Sequence, residues 1–192
     1  MVFYPPKNAV MQDNRDNPST TPELTDASLA KTMELLSFRA LYDNDPMTRK
    51  HSVYLLGQVG DPRSIDTCIH AMRDQEKAVR AQASKALAEI GEPALERLLP
   101  LLNDPDWKIR YRGAEALGMM KDKRAVSPLI GLLSDEKDHV RYMAVKSLCG
   151  IGDMAAWEPI IACQQDENPF VRRMADRAVS TLGKESHAPC DN

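Results

Sequence analysis

Aromatic side chains are scarce in this chain of 192 residues: three Phe, five Tyr and two Trp, or 5%. So few rings leave the core to Ala, Leu, Ile, Val and Met. That palette suits close helix–helix packing better than a sandwich of strands. Charge of one sign is lacking too, with 25 basic against 28 acidic residues and a net charge of −3. The balance gives no global electrostatic reason to bind nucleic acid, so no nucleic-acid partner is expected. No apolar run approaches 18 residues, and the opening MVFYPPKNAVMQDN lacks the apolar stretch of a secretory signal; no membrane partner is expected. The four cysteines, at 68, 149, 163 and 190, form no C-x-x-C and fit no zinc spacing. Cys149 and Cys163 fall in consecutive expected helices and could approach each other, but reduced thiols in a cytoplasmic protein are the better reading. Also missing are a Gly-rich phosphate loop, a G-x-S-x-G and any metal-spaced His pair.

What is present is a repeat. Asp stands at 43, 74, 104, 135 and 166, and Arg six residues later at 49, 80, 110, 141 and 172. The first step is 31 residues, the second 30, the last two 31. Gly closes the segments at 60, 91, 152 and 183, with Lys121 the exception. Within each segment, apolar or small residues trace one stripe at a period near 3.6, as in Val79, Ala83, Ala86, Leu87 and Ile90. This is helix A, stopped by a glycine able to take the left-handed conformation. Asp104-Pro105 reads as its clearest N-terminal cap. A second, shorter helix B follows, carrying Ile65, Cys68 and Ile69, then Leu95, Leu98 and Leu99, Val126, Leu129 and Ile130, and Trp157, Ile160 and Ile161. Pro128 and Pro159 share one position in it and imply an irregular first turn or a later start.

Neither helix buries its stripe alone, but stacked pairs form a continuous core. About nine core positions per repeat, at roughly 1.5–3 kcal/mol each before entropy, make stacking the main stabiliser. The pattern predicts ten helices and no strands. Its divisions are a flexible arm over 1–25, a half-repeat over 26–42, repeats over 43–73, 74–103, 104–134 and 135–165, a terminal helix over 166–183, and a tail over 184–192. Both ends are expected to act as caps, the last helix through a polar outer face with Asp176 and Arg177.

The motif D-x5-R-x2-A-x2-A-L-x2-I-G, followed by a Pro-containing second helix, resembles the HEAT-repeat family, and most of all its phycobilisome-lyase-like repeats. The resemblance covers about residues 28–183 and implies an all-α, right-handed solenoid with B helices on the concave face and a protein as partner. It also implies that Asp74, Asp104, Asp135 and Asp166 form a structural ladder with Arg80, Arg110, Arg141 and Arg172. Deoxyhypusine hydroxylases of this family hold iron with His-Glu dipeptides. Here His51, His70, His139 and His187 precede Ser, Ala, Val and Ala. HEAT-like DNA glycosylases use a basic groove, where this chain has Asp66, Glu96, Ser127 and Glu158, which repel phosphate.

The expectation is therefore a non-catalytic protein-binding scaffold with no catalytic, cofactor or metal residues. Its alternative is a partner-dependent bilin or tetrapyrrole lyase-like subunit. The candidate partner-binding residues are the B-helix row Arg63, Asp66, His70, Glu96, Arg97, Arg124 and Glu158, a mixed-charge surface suited to a polar partner. Trp107, expected to be exposed at the edge, is a candidate anchor. Tyr111 and Tyr142, in an outer A-helix row with Tyr54, Lys85, Arg112, Lys146, Arg173 and Arg177, mark the rival face.

Overall fold

The computed structural model describes residues 25–185, with side chains through Gly183. Among these residues it contains ten α-helices and no strand. The A helices are α2 (Pro46–Val59), α4 (Lys77–Ile90), α6 (Trp107–Met120), α8 (Asp138–Ile151) and α10 (Pro169–Glu185). The B helices are α1 (Asp26–Tyr42), α3 (Ile65–Ala71), α5 (Glu92–Leu98), α7 (Val126–Gly131) and α9 (Trp157–Ala162). Each A helix packs on the next, and the B helices lie against them, so that the molecule is a right-handed α-solenoid. The expected arm and tail lie outside the described residues, save for Thr25 and the last turn of α10.

The sequence stripe is the buried surface. Val79, Ala83, Ala86 and Leu87 are fully covered, as are Val140, Ala144 and Leu148. Small residues let the A helices approach closely. A Cβ added at Gly57 would lie 2.7 Å from the Ala86 Cα, and one at Gly118 would lie 2.8 Å from the Ser147 Cα. Ser147, buried at that junction, donates its hydroxyl to the Ala114 carbonyl at 2.8 Å across to the preceding helix.

Helix ends follow the turn chemistry with two corrections. Gly60 and Gly152 stop their helices at φ 69° and 76°, and Lys121 takes the same left-handed conformation at φ 57°. Gly183 is no stop, because α10 continues through Glu185. Asp104-Pro105 is not the start of α6. Asp106 caps that helix, accepting from the Lys108 amide at 2.9 Å, while Asp104 accepts from the Asp106 amide in the turn before it. Pro128 and Pro159 stand third in α7 and α9, where their missing N–H belongs to the unbonded first turn. Both helices enter through 3₁₀ turns, Lys123–Ala125 and Met154–Ala156, capped by Asp122 and Asp153.

Candidate functional site

Three surfaces offer chemistry. The first is the turn edge, where the repeated Asp and Arg meet. Arg49 donates Nε and Nη2 to Asp74 at 2.6 and 2.9 Å. Arg110 does the same to Asp135 at 2.6 and 2.8 Å, and Arg141 to Asp166 at 2.7 and 3.0 Å. Each of these guanidinium groups also donates Nη1 to the carbonyl of its own repeat's Asp, at 2.8–2.9 Å. One guanidinium thus clamps two successive turns, a forked geometry that Lys cannot supply. Hydrogen bonding from Arg141 holds the Asp166 carboxyl below its ordinary value. Asp135 is lowered as well, against the opposing effect of its own burial, by Arg110 and the Lys137 amide.

The ladder departs from the expected membership. Arg80 donates to the carbonyls of Asp74 and Gln75, at 2.7 Å each, and it is Arg73 that takes Asp104, at 2.5 Å. The gap coincides with the one 30-residue step in the repeat, which brings Asp104 one residue closer to Arg80 than the other rungs allow. Arg172 likewise donates to backbone carbonyls, those of Asp166 at 2.7 Å and Glu167 at 2.9 Å.

The second surface is the B-helix row. Arg63, Asp66, His70, Glu96, Arg97, Arg124 and Glu158 are all exposed. Most of their charges are paired. Arg63 donates to Asp61 at 2.6 Å and to Asp26 at 3.2 Å; Arg97 pairs with Asp66; Arg124 donates to Asp122 at 2.8 Å and reaches Glu92 at 3.3 Å. His70 contacts the Asp66 carbonyl through Nδ1 at 2.9 Å. The row is a chain of solvated pairs rather than a field of one sign.

The third surface lies on the outer face of the A helices. Tyr111 from α6, His139 and Tyr142 from α8, and Phe170 and Val171 from α10 line a groove of about 330 Å³, with Asp138 and Asn168 at its edge. Phe170 is 63% exposed, while Tyr111 and Tyr142 are half-buried against the core. Burial raises the Tyr111 hydroxyl pKa, so it stays protonated. Trp107 is not the free edge residue expected: it is half-buried, with its ring 5.6 Å from that of His139, which lines the groove. Arg112, placed in the outer row by the sequence, is buried and paired with Glu115 at 2.5 Å, with its guanidinium 5.1 Å from the Tyr111 ring. An adjoining hollow is acidic, lined by Glu136, Asp138 and Glu167. The pair Tyr111 and Tyr142 was legible in the sequence as one aligned row. His139 and Phe170 were not singled out, although they share the next row, one residue after Asp138 and Pro169. Among the described residues, no three His, Cys, Asp or Glu side chains converge as a metal-binding group, and no helix is long and apolar enough to cross a membrane.

A family model described as HEAT repeats matches residues 34–102 and 95–179. Over 68 residues, 33% of the chain, the sequence is 41% identical to deoxyhypusine hydroxylase of Bos taurus. That stretch amounts to only 22% of the enzyme. Among solved structures, the complex of CpcE and CpcF of phycocyanin lyase from Nostoc sp. PCC7120 has a TM-score of 0.59 at 24% identity, covering 93% of this chain and 71% of that one. A designed armadillo repeat protein in complex with the peptide (KR)4 has a TM-score of 0.50 at 19% identity, covering 81% and 82%.

One expectation is overturned by these likenesses. The missing motifs implied that the chain is not an enzyme, yet an enzyme stands among its relatives. The same solenoid carries many functions, catalytic ones included, so absence of a familiar motif does not exclude catalysis.

Proposed function

Because this chain belongs to the HEAT-repeat family, we propose that it works as a protein-binding solenoid, with the partner docking on the outer face of α6, α8 and α10. The aromatic groove of about 330 Å³ carries this reading. Water over Tyr142 and Phe170 gains by being displaced, at roughly 25 cal/mol per Å² of apolar surface covered. Glu136 and Glu167, 70% and 85% exposed, flank the groove. They favour a segment with an apolar anchor beside Lys or Arg, so binding weakens with salt. The B-helix row, including Asp66, Arg97 and Glu158, is the less supported docking surface, because it presents exposed ion pairs where the A-helix face presents an aromatic groove. A cytoplasmic setting suits the buried thiols; burial pushes Cys68 up to about 12.

The test is co-purification from the source cells with three baits of equal thermal stability: the wild type, Tyr142→Ala and Arg97→Glu. The reading expects a specific protein that the wild type and Arg97→Glu retain and Tyr142→Ala loses. Retention by Tyr142→Ala with loss by Arg97→Glu moves the site to the B-helix row.

A second reading keeps the groove and changes its occupant to a bilin or related tetrapyrrole, handled together with a partner subunit. The aromatic lining is what favours it. Absorbance titration with a bilin decides: saturable binding with a spectral shift supports it, and no shift leaves the protein segment.

A further inference from the structure

Among the described residues, nothing stacks on the N-terminal end of the solenoid. Ala86 and Ser147 meet the preceding A helix at Gly57 and Gly118, and each stands in the middle of a row of three positions, spaced by four, that aligns across α4, α6, α8 and α10. These rows are Gln82, Ala86 and Ile90; Arg112, Ala116 and Met120; Met143, Ser147 and Ile151; Met174, Ala178 and Leu182. The middle residue is small and covered in every case: Ala86, Ala116 and Ala178 are 0% exposed and Ser147 is 4%. In α2 the same row reads His51, Leu55 and Val59, and no A helix precedes it among the described residues. Leu55 is 44% and Val59 45% exposed. On α1, which packs against α2, Phe38 is 61% exposed, whereas its aligned residues Ile69, Leu99 and Ile130 pack against the core. This end therefore presents a stacking surface with nothing stacked on it among the described residues.

We propose that this surface is a self-association interface, in which α2 of one chain packs against α2 of a second copy about a two-fold axis near Leu55. Three observations select a second copy. Residues before α1 do not repeat the A-helix pattern: Pro18 falls where the register requires Arg, and Pro22 follows. The opposite end of the molecule is polar. Asp176 and Ser180, both exposed, stand on α10 where Ala114 and Gly118 of α6 receive the next repeat, so head-to-tail stacking would bury a carboxylate against Leu55. Finally, Leu55 is too bulky for the ordinary junction, whose approach of Gly57 to Ala86 tolerates only a small residue. A two-fold contact instead sets Leu55 against its own copy and Val59 near His51 of the second copy. Such an isologous contact closes at two chains and does not propagate. The interface is separate from the aromatic groove, and neither depends on the other.

Sedimentation or light scattering over a concentration series tests it with the full chain. The expected result is a mass of twice 21.4 kDa, reduced to one chain by Leu55→Glu and by Val59→Glu and unaffected by Ser180→Glu. Leu55→Cys, which is small enough not to perturb folding, should give a disulfide-linked dimer on mild oxidation, and Ser180→Cys should not. A monomer at every concentration, or a dimer that survives both α2 substitutions, overturns the proposal.

Discussion

Two ladders of Arg–carboxylate pairs run along this molecule, and they differ in what surrounds them. At the turn edge, Arg49–Asp74, Arg110–Asp135 and Arg141–Asp166 have side-chain exposures of 13%/8%, 11%/6% and 9%/9%. On the B-helix face, Arg63–Asp26, Arg97–Asp66 and Arg124–Glu92 stand at 46%/88%, 57%/63% and 49%/71%. Arg–carboxylate pairs between successive repeats thus do two jobs. Where water is excluded, the guanidinium is held by a forked pair and a backbone carbonyl, and it fixes the angle between repeats. Where water surrounds the pair, Coulomb attraction is weak and the side chains remain free to exchange partners.

The sharpest way to break that contrast is Arg110→Ala. It strips Asp135 of both side-chain bonds and the preceding turn of its carbonyl contact. A loss of about 2–4 kcal/mol in urea unfolding is expected, toward the lower part of the range for a broken buried pair. Gly118→Ala tests whether the junction between those repeats is as tight as the ladder implies. Its new methyl must displace Ser147, and a cost of about 1–3 kcal/mol is expected in the same assay.

Acid probes the turn-edge ladder. The Asp135 and Asp166 carboxyls titrate below their ordinary value when folded. They therefore add stability above an unfolded value of about 3.9, and that stability is lost as pH falls through the lower folded values. The melting temperature should fall below about pH 4, and less steeply in Arg110→Ala, which no longer holds Asp135 down. Arg97→Ala, by contrast, should change stability by less than about 1 kcal/mol, and that change should fade in high salt. A loss as large as that of Arg110→Ala would mean that the B-helix pairs are structural after all. The smallest expected effect is a gain: Lys121→Gly relieves a left-handed residue and should stabilise by up to about 1 kcal/mol in thermal melts.

The fold was legible because its determinants are periodic. The 31-residue step, the small residues of the A helices and the closing glycines each recur three or four times, so Lys121 or Pro128 could be read as local departures. What escaped was whatever depends on distance across repeats. Arg112 looks like its neighbour Tyr111 in sequence but turns into the junction and pairs with Glu115. Trp107 leans on His139 of the next repeat, a contact no single-repeat pattern contains. The B-helix row read as a free mixed-charge surface because pairing across 31 residues, as between Asp66 and Arg97, is invisible in a one-dimensional alignment of rows. The two ends were expected to be alike as caps. Asp176 on α10 fits that expectation, whereas Leu55 on α2 does not.

The docking claim is tested most directly by calorimetric affinity for the captured partner, compared between the wild type, Tyr142→Ala and Arg97→Glu. The account predicts a loss of about 2 kcal/mol or more for Tyr142→Ala, as for a buried aromatic anchor, and a smaller loss for Arg97→Glu. Unchanged affinity in Tyr142→Ala, with binding abolished by Arg97→Glu, would contradict it and place the partner on the B-helix face.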